Sequence, residues 1–295
     1  MTISILNNLD HKLLSVSVVY KMMKKVLNIR SLQDFEIGIA SSLIPIDWNL
    51  DFEKFQHLHL GEGTYKVFGG FIDNQLICIG DVIINGTTGW LGNIVVKPEY
   101  RTNGFGQEIT MYLIDYLREH SCKTIITMAT ESSKTLYQKL GFLTSSIYCT
   151  LKGNLLYAPV KSKMIRSIEK RDLEQIYALD ARASGEDRSK LLSKFIAQGV
   201  VFISENSNEI QGFFLPDSGE GTVIASNVEA GLALLLYKHS LALQDAVIPC
   251  ENKIAVDFLK KNHFRETALV YRMALGEDLD WKPEMMFSRA ARFCA

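Results

Sequence analysis

The sequence has no excess of charge of either sign. Its 295 residues include 32 Lys+Arg and 33 Asp+Glu, which gives a formal net charge of -1, and neither half contains a long run of like charge. Proteins that bind nucleic acids usually present a basic surface. The charge balance therefore predicts that no nucleic acid is a partner.

The sequence also lacks a run of about 18 apolar residues, the length that a membrane-spanning helix requires. The only candidate export signal, residues 13–20, follows Asp10, runs into Lys21 and has no small-residue cleavage site, so its flanks are wrong for secretion. We expect no membrane association and a cytoplasmic location, with residues 1–25 forming an N-terminal extension.

Cysteine is scarce, and no pair has the C-x-x-C spacing of many metal and redox sites. The cysteines are Cys78, Cys122, Cys149, Cys250 and Cys294. An odd number of scattered cysteines is typical of reduced thiols in a cytosolic protein. We therefore predict free thiols, no disulfides and no metal site.

The remaining composition is that of a folded globular protein. Hydrophobic residues make up 47% of the chain and charged residues 22%, which is close to the average for globular domains. At about 100–200 residues per domain, the length favours two domains.

Short β-like runs alternate with amphipathic helix-length runs from Val26 onwards, which predicts an α/β fold with a mixed sheet. A stretch with Pro159 and little periodicity separates two such regions. We predict a first domain over residues 26–152, a linker over 153–162 and a second domain over 163–295.

The second region repeats the order of elements of the first. The segment 136–142, which ends in Gly141-Phe142, parallels the segment 258–264, which ends in His263-Phe264, at an offset of 122 residues. A repeat of this kind indicates a duplicated domain, although similar α/β units can produce it by chance.

One segment carries a candidate binding site. A predicted strand, residues 90–96, is stopped by Pro98, and Arg101, Gly104 and Gly106 precede an amphipathic helix. Glycines at such a turn permit positive φ angles and close approach of a ligand, and the free N–H groups of a helix N-terminus favour an anion. A pyrophosphate is the expected ligand, and an ordinary strand-to-helix turn is the alternative. A P-loop motif is absent, and the domain has too few βα units for a dinucleotide fold.

These residues resemble a motif of the GNAT superfamily of acetyl-CoA-dependent N-acetyltransferases, V-x-P-x-x-[RQ]-x-x-G-x-[GA]. A second family motif, N-x-x-A-x-x-L-Y-x-K-x-G-F, resembles residues 130–142. The matching positions are Val95, Pro98, Arg101, Gly104 and Gly106, then Leu136, Tyr137, Lys139, Gly141 and Phe142. The resemblance implies two GNAT-like domains in tandem, each a mixed sheet flanked by helices.

The resemblance also implies where acetyl-CoA would bind. The strand residues Ile94, Val95 and Val96 would pair with the pantetheine arm, and a strand amide near Val95 or Val96 would hold the carbonyl oxygen. The pyrophosphate would be held by Arg101, Thr102, Asn103, Gly104, Phe105, Gly106 and Gln107. Thr130 and Ser133 replace the asparagine and alanine of the family pattern, so Thr130 can cap the helix, but cofactor contacts of the asparagine side chain are lost.

Tyr137 is the implied catalytic residue. It would donate a proton to the departing coenzyme A thiolate, a role for which a positioned acid is suited. A core aromatic on an amphipathic helix is the alternative. The family's strand glutamate is missing, because Gly92 and Asn93 occupy that neighbourhood. The base could be a water chain, Asp51, Asp81 or a group of the second domain, but for each acid a solvated surface carboxylate is the favoured interpretation.

Two further segments resemble a tandem-GNAT subgroup. Trp48 and Asp51 lie where such enzymes accept the substrate, and Trp48 could form an aromatic wall for an amine or seal the core. In the second half, Asp187 and Arg188 could shape a polar substrate pocket between the domains. The alternative for this pair is a helix-capping aspartate beside a surface arginine.

The second half lacks the phosphate motif. The repeat offset places the glycine loop on residues 223–228, where neither glycine nor the arginine recurs. Asn252 and Ala255 restore the N-x-x-A spacing, and His263 is interpreted as a turn residue. We therefore predict a degenerate second domain that does not bind coenzyme A.

The sequence as a whole predicts an acetyl-CoA-dependent N-acetyltransferase that acts on the primary amine of a small molecule by direct transfer, as a monomer or homodimer. A coenzyme A-binding sensor without turnover is the alternative from another class. A structural α/β protein that binds coenzyme A in neither half would require both motif matches to be coincidence.

Overall fold

The computed structural model describes residues 26–48, 50–53, 56, 64–153, 162–241 and 245–289. Most of the predicted linker lies outside these ranges. The strands are β1 (Asn28–Ser31), β2 (Tyr65–Ile72), β3 (Gln75–Asn85), β4 (Thr88–Val96), β5 (Thr124–Ala129), β6 (Leu143–Lys152), β7 (Ile165–Ser167), β8 (Val200–Ile203), β9 (Ile210–Leu215), β10 (Thr222–Ala225), β11 (Asp245–Pro249), β12 (Arg265–Gly276) and β13 (Met286–Ser288). The α-helices are α1 (Ile37–Ser41), α2 (Phe105–Glu119), α3 (Glu131–Lys139), α4 (Leu173–Ser184), α5 (Ser189–Leu192), α6 (Val228–Ser240) and α7 (Lys253–Lys261).

Local sequence signals account for most of these elements. Asp73 and Asn74 adopt positive φ angles of 49° and 63° between β2 and β3, the conformation that a two-residue hairpin turn requires and that these residue types tolerate. The Asp-Asn pair is typical of such a turn, so local sequence accounts for this hairpin. Pro98 follows β4 within two residues and starts a 3-10 turn, because proline cannot donate to a strand ladder.

A large sheet has the strand order β1-β2-β3-β4-β5-β12-β6-β11. All its neighbouring strands are antiparallel except β4 and β5, which run parallel. The parallel pair brings the carboxyl ends of β4 and β5 to the same edge, and α2 and α3 begin beyond those ends. Such a change of strand direction is where open α/β sheets commonly bind ligands.

Strand β12 of the second half lies inside this sheet, between β5 and β6. Tyr271 pairs with Ala129 on β5 and, on its other side, with Ile147 on β6. Strand β11, also from the second half, pairs with the outer edge of β6. Both halves of the chain therefore build the sheet that carries β4 and β5.

The predicted repeat is visible in the backbone. Helices α3 and α7 are related by the offset of 122 residues found in the sequence. The Phe142 amide donates to the Tyr137 carbonyl at 3.0 Å, and the Phe264 amide donates in the same way to Leu259 at 3.0 Å. His263 has a φ of 67° where Gly141 has 91°, which confirms that His263 is a turn residue.

A second sheet has the order β13-β10-β9-β8-β7 and is antiparallel throughout. Strand β13, which the sequence analysis did not predict, pairs with β10, and the Arg289 amide beyond it donates to the Val247 carbonyl on β11 at 3.0 Å. This short strand therefore lies between β10 and β11.

Hydrophobic cores cover both faces of the large sheet. On one face, Ile109, Leu113 and Leu117 of α2 pack with strand residues. On the other face, side chains of the first half pack in one cluster with residues of the second half, which include Ile176 and Phe213. A third cluster joins β6 to α6 and α7. The two halves thus share buried surface.

The prediction of free thiols was wrong for one pair. Cys149 on β6 and Cys250, which follows β11, form a disulfide with a Cα–Cα distance of 5.8 Å. Composition alone could not place them together, because the adjacency arises from the pairing of β6 with β11, in which Ile248 faces Cys149. Cys78 and Cys122 are free and buried, as predicted.

Candidate active site

Strands β4 and β5 separate before either of them ends. Their parallel pairing runs from Thr88 and Thr124 to Leu91 and Thr127 and then stops, whereas β4 continues to Val96 and β5 to Ala129. In the part of the chain that the structure describes, residues 92–96 have no strand partner on the β5 side. The result is an opening in the sheet, called here the β4–β5 opening.

A β-bulge lies at the start of this opening. The pairing of β3 with β4 shifts between Ile79 and Asp81, and Asn93 on the bulged strand has a φ of 41°. A residue with a side chain in the left-handed region is strained, and bulges often occur beside functional sites. The bulge turns β4 away from β5.

The backbone of Val96 faces the opening. The Lys97 amide donates to the Ile77 carbonyl on β3 at 2.9 Å, and Cys78 is the cross-strand partner of Val96. Because hydrogen-bonded and non-hydrogen-bonded pairs alternate along an antiparallel ladder, the Val96 amide points away from β3. The Val96 carbonyl accepts a hydrogen bond from Arg101 Nε at 3.1 Å, so the Arg101 side chain connects the end of β4 to the loop that precedes α2.

The loop before α2 presents unmatched amides. Thr102 and Gly104 have φ angles of 65° and 89°, and residues 101–104 are exposed. Among the described residues, none accepts a hydrogen bond from the amides of residues 102–107, and no side chain caps α2. Successive free amides at a helix N-terminus form an anion-binding concavity.

Gly104 leaves space at this concavity. A Cβ atom added at Gly104 would meet nothing within 4 Å, and one added at Gly106 would meet only Val96 Cγ2, at 3.6 Å. Asn103 Nδ2 donates to the Tyr100 and Arg101 carbonyls at 3.2 and 3.0 Å and holds the loop from within. The residues present therefore fit the pyrophosphate of coenzyme A, which free N–H donors and an open approach would accommodate.

Helix α3 forms the other wall of the opening. The Ser133 hydroxyl accepts from the Thr130 amide at 3.0 Å, so these two residues close the first turn of the helix. Tyr137 lies one turn further along, buried against Phe142 at a ring centroid distance of 5.5 Å.

The Tyr137 hydroxyl reaches the point where β4 and β5 separate. Burial raises its pKa above the usual range, and a hydrogen bond with the Thr127 side chain lowers that pKa in part. The Thr127 hydroxyl donates to the Leu91 carbonyl at 3.2 Å, and these two residues form the last pair of β5 with β4. A phenol in this setting is protonated at neutral pH and lies beside the last paired residues of the two strands.

Asp81 is the main residue that the sequence reading misjudged. It is 1% exposed and is therefore not a surface carboxylate. Its Oδ2 accepts from the Tyr65 hydroxyl at 2.9 Å and from Asn93 Nδ2 at 2.7 Å, and Gln56 Nε2 donates to the Tyr65 hydroxyl. Burial raises the pKa of Asp81 to about 7, while the hydrogen bonds from Asn93 and Tyr65 lower it in part.

The sequence did contain a signal for this buried acid. Asp81 stands between Ile79 and Ile83, and alternate residues of a strand share a face. An aspartate between two apolar residues at that spacing, in a strand that is apolar on both sides of it, indicates a carboxylate on a buried face. The register that places Asp81 opposite Gly92 is a long-range feature and was not available from the sequence.

The predicted acceptor residues of the first half lie apart from this cluster. Trp48 ends a 3-10 turn, is partly buried and packs against the core on the Asp81 face of the sheet. This position supports the interpretation of Trp48 as a core residue and is compatible with its role as an aromatic wall for the substrate. Asp51 is exposed. The structure shows no contact of either residue with Asp81.

Asp187 and Arg188 have separate roles in the structure. Asp187 is exposed, and its Oδ1 accepts from the Ser189 amide at 3.2 Å and hydroxyl at 2.6 Å, as the helix-capping alternative predicted. Arg188 is 1% exposed, so the expectation of a surface arginine was wrong. Its Nε and Nη2 donate to the two carboxylate oxygens of Asp180 at 3.0 and 2.7 Å.

The segment that carries these residues is fixed against β4. The buried carboxylate of Glu186 accepts from Trp90 Nε1 at 2.7 Å and from Asn85 Nδ2 at 3.2 Å. Because one buried acid of the second half takes donors from β3 and β4, it ties the second half to the strands beside the opening.

The N-terminus of the corresponding helix of the second half is capped by a side chain. Only Ser226 and Asn227 separate β10 from α6, and the Asn227 side chain accepts from the Ala230 amide at 2.9 Å. A side-chain cap occupies the donors that would bind an anion. The short loop and its cap agree with the predicted loss of the phosphate site.

The corresponding cleft of the second half is filled by the chain itself. Met286, Phe287 and Ser288 of β13 are buried between β10 and β11, and a Cβ atom at Gly231 on α6 would clash with the Phe287 ring. Asn252 caps α7 by accepting from the Ala255 amide at 3.1 Å, and its Nδ2 donates to the Met286 carbonyl at 3.0 Å. No open cleft between these strands remains among the described residues.

The helices in the described ranges include none with the length and apolar character needed to cross a membrane.

Family models match both halves of the chain. The model described as "Acetyltransferase (GNAT) family" matches residues 33–142, and the model described as "Acetyltransferase (GNAT) domain" matches residues 176–288. The first match contains the β4–β5 opening and the glycine loop, and the second contains the filled cleft.

Sequence relatives carry N-acetyltransferase names. The chain is 25% identical over 162 residues to an uncharacterized N-acetyltransferase of Bacillus subtilis (strain 168), which covers 54% of this chain and 56% of that protein. It is 37% identical over 54 residues to a glucosamine 6-phosphate N-acetyltransferase of Trypanosoma brucei brucei, which covers 18% of this chain and 37% of that protein. The chain thus spans about half the length of the first of these curated relatives and about a third of the length of the second.

Solved structures share the whole fold at low identity. A putative acetyltransferase from Pyrococcus horikoshii superposes with a TM-score of 0.77 at 20% identity and covers 91% of this chain and 96% of its own. A tandem GNAT protein from the clavulanic acid biosynthesis pathway has a TM-score of 0.61 at 10% identity, with coverage of 85% and 98%. These solved structures share the fold of this chain. The two family matches, which together cover most of the chain, show that it belongs to the GNAT superfamily, whose members transfer acyl groups from acetyl-CoA, and that it has two GNAT domains in tandem.

Proposed function

We propose that this protein transfers the acetyl group of acetyl-CoA to the primary amine of a small molecule by direct transfer, at a single site in the β4–β5 opening. The observation that carries the proposal is the coincidence of two features on one edge of the sheet. Strand β4 leaves β5 after Leu91, and the amides of residues 102–107 are free at the start of α2. An extended donor with a pyrophosphate at one end requires both.

The donor would lie along β4 and end at the glycine loop. The amides from Thr102 to Gln107 would hold the pyrophosphate, with Arg101 at its rim, and Ile94 and Val96 would offer backbone groups to the pantetheine arm. The alternation of the ladder favours the Val96 amide over the Val95 amide as the donor to the carbonyl oxygen. Thr130 and Ser133 close the first turn of α3 and shape the opposite wall.

Tyr137 would act as the acid of the reaction. Its buried phenol keeps its proton at neutral pH, and it lies beside Thr127, a member of the last pair between β4 and β5. A departing thiolate that takes this proton becomes a neutral thiol. The position at the opening supports an acid over a purely structural aromatic.

The acceptor would approach from the face of the sheet that carries Asp81. That face is covered by the segment around Trp48 and by the second half of the chain, so an amine would enter between them. Trp48, Asp51 and Asp187 remain candidate contacts. Arg188 is engaged by Asp180, so we propose that it positions the 186–189 segment and does not itself bind the substrate.

The test is turnover of a panel of amines with acetyl-CoA. The panel contains glucosamine, glucosamine 6-phosphate, spermidine, lysine and a peptide N-terminus, and release of thiol and the mass of the acetylated product are recorded. The glucosamine 6-phosphate probe is included because a relative of that name matches 54 residues of this chain. Acetylation of at least one amine at a rate above that of thioester hydrolysis is the expected result.

The loop is tested with two glycine variants. Gly104→Ala places a side chain at a φ of 89°, and Gly219→Ala does the same at an exposed turn with a φ of 59° in the second half. Each change costs about 1 kcal/mol of backbone strain, but only the first disturbs the loop amides. We expect Gly104→Ala to lose at least about tenfold in acetyl-CoA affinity and Gly219→Ala to be unchanged. Equal effects of both variants, or no acetylated product from any amine, would count against the proposed function.

A further inference from the structure

We propose that Asp81 accepts the proton that the acceptor amine loses before it attacks the thioester, through one water molecule in the β4–β5 opening. This inference rests on the proposed N-acetyltransferase function, and it assigns to β3 the base that the sequence lacks on β4. Its evidence is the position of Asp81 in the sheet, the arrangement of its hydrogen bonds and its separation from Tyr137.

The first step concerns position. Asp81 is the cross-strand partner of Gly92, the first β4 residue beyond the last pair with β5. Neighbouring strands are about 4.8 Å apart, so the Asp81 backbone lies one strand spacing from β4, the strand that borders the opening. A general base at that range acts through a single bridging water.

The second step concerns the face of the sheet. Ile79 and Ile83, which flank Asp81 at strand spacing, belong to the core on the face opposite α2. Tyr137 belongs to the core on the α2 face. An amine that enters on the Asp81 face would meet its proton acceptor there. A thiolate that leaves towards the Tyr137 face would meet its proton donor on the opposite side of the strand opening.

The third step concerns the hydrogen bonds of the carboxylate. Tyr65 and Asn93 both donate to Oδ2, at 2.9 and 2.7 Å, and no described residue donates to Oδ1. The strained φ of Asn93 brings its amide group to the carboxylate. One oxygen is thus held in place from β2 and β4, while the other is left for a proton donor such as water.

The fourth step concerns protonation. Among the residues that the structure describes, the titratable group in contact with Asp81 is Tyr65. Burial and the Asp81 charge raise the pKa of Tyr65 well above its usual value, so it stays protonated. The other polar side chains of the cluster, Asn93 and Gln56, are neutral. The raised pKa of Asp81, about 7, is near the value at which a base is most effective at neutral pH.

The proton transfer is balanced within these groups. The ammonium nitrogen of the substrate gives one proton to the water, the water gives one of its own to Asp81 Oδ1, and the nitrogen keeps the electron pair with which it attacks. After product release, Asp81 returns the proton to solvent. No oxidant, reductant or further reactant is required.

The test uses the full-length protein and the panel amine with the highest turnover. Asp81→Asn removes the base and keeps the shape of the side chain, and Asp115→Asn makes the same change at an exposed position on α2. We expect Asp81→Asn to lower kcat/KM about 100-fold or more at pH 7 and to abolish the inflection near pH 7 in the pH profile, with acetyl-CoA affinity within about twofold of wild type. Asp115→Asn should leave all three unchanged.

A second variant distinguishes a catalytic base from a residue that only stabilises the fold. The Tyr65 hydrogen bond lowers the pKa of Asp81, so Tyr65→Phe should move the inflection to higher pH while it keeps activity on the alkaline side. A purely structural role of Asp81 would not shift the profile in that direction. If Asp81→Asn does not fold, the direction of this shift decides the matter.

The outcomes distinguish this inference from the proposed function. Wild-type protein that binds acetyl-CoA but acetylates no amine would overturn the proposed function and this inference with it. Wild-type turnover together with an Asp81→Asn variant that keeps its inflection and kcat/KM within about threefold would overturn only the assignment of Asp81.

Discussion

Asp81 and Tyr137 lie on opposite faces of the large sheet, on either side of the point where β4 and β5 separate. Asp81 belongs to the face that the second half of the chain covers, and Tyr137 to the face that α2 covers. Both are buried, so burial raises the pKa of each group above its usual value. A carboxyl group with a raised pKa and a protonated phenol therefore lie on opposite sides of one opening.

Tyr137→Phe tests the acid. The substitution removes the hydroxyl beside Thr127 and leaves the packing against Phe142 intact. We expect kcat to fall about 100-fold, while the acetyl-CoA affinity measured by calorimetry stays the same. Tyr148→Phe is the matched control, because Tyr148 is also a buried tyrosine, but its hydroxyl donates to Met286 Sδ at 3.7 Å. A Tyr137→Phe enzyme with the wild-type kcat would assign Tyr137 to the core alone.

The sequence was informative where the structure depends on neighbouring residues. Pro98, Gly104 and Gly106 act on the chain within a few residues, so the end of β4 and the start of α2 followed from them, and the hairpin at Asp73 followed from turn chemistry. Tyr137 was found because its motif lies on one short helix.

The sequence contains no signal for the features that depend on pairing between distant residues. The burial of Asp81 requires the register of β3 with β4, and the disulfide of Cys149 requires β6 to meet β11. Strand β12 reaches its neighbours in the large sheet over more than one hundred residues of chain. Strand β13 reaches β10 over more than sixty. Local patterns do not encode such contacts, because the same strand signals fit either sheet.

The pH dependence of stability tests the burial of Asp81. Its pKa is raised to about 7, so the folded protein binds this proton more tightly than the unfolded chain. The free energy of unfolding should fall as pH rises from about 4 to about 7, and it should fall less steeply in Asp81→Asn. Urea unfolding over this range measures the difference.

Asp187 provides a control of opposite sign. Hydrogen bonds from the Ser189 hydroxyl and amide lower its pKa, so its contribution is present above the pKa of the unfolded chain and is lost as the solution becomes more acidic. Asp187→Asn should therefore lower the free energy of unfolding by a constant amount above about pH 4, and this difference should shrink as the pH falls below about 4. Identical difference curves for the Asp81 and Asp187 variants would contradict the buried state of Asp81.

Reduction of the disulfide should destabilise the protein. The bond between Cys149 and Cys250 closes a loop with a sequence separation of 101, and a loop of that length corresponds to about 4–5 kcal/mol in the chain-entropy account. We expect a reducing agent to lower the unfolding midpoint of wild type but not of Cys250→Ser. A midpoint that does not respond to reductant in wild type would contradict the bond.

Separation of the two halves should abolish donor binding. Strand β5 is paired on one side with β4 only as far as Thr127, and on the other side with β12 from the second half. A protein that ends at Lys152 would lack β12 and expose the edges of β5 and β6, so it should not bind acetyl-CoA. Co-expression with residues 163–295 should restore binding. Wild-type affinity of the first half alone would show that β12 is dispensable.

The number of acetyl-CoA molecules bound per chain tests the central claim most directly, since the opening at β4 and β5 is free and the cleft at β10 and β11 is filled by β13. Calorimetric titration of the purified full-length protein with acetyl-CoA measures it. The account predicts saturable binding of one molecule per chain, weakened by Gly104→Ala and unchanged by Gly219→Ala. Two molecules per chain, or no binding at millimolar ligand, would contradict it.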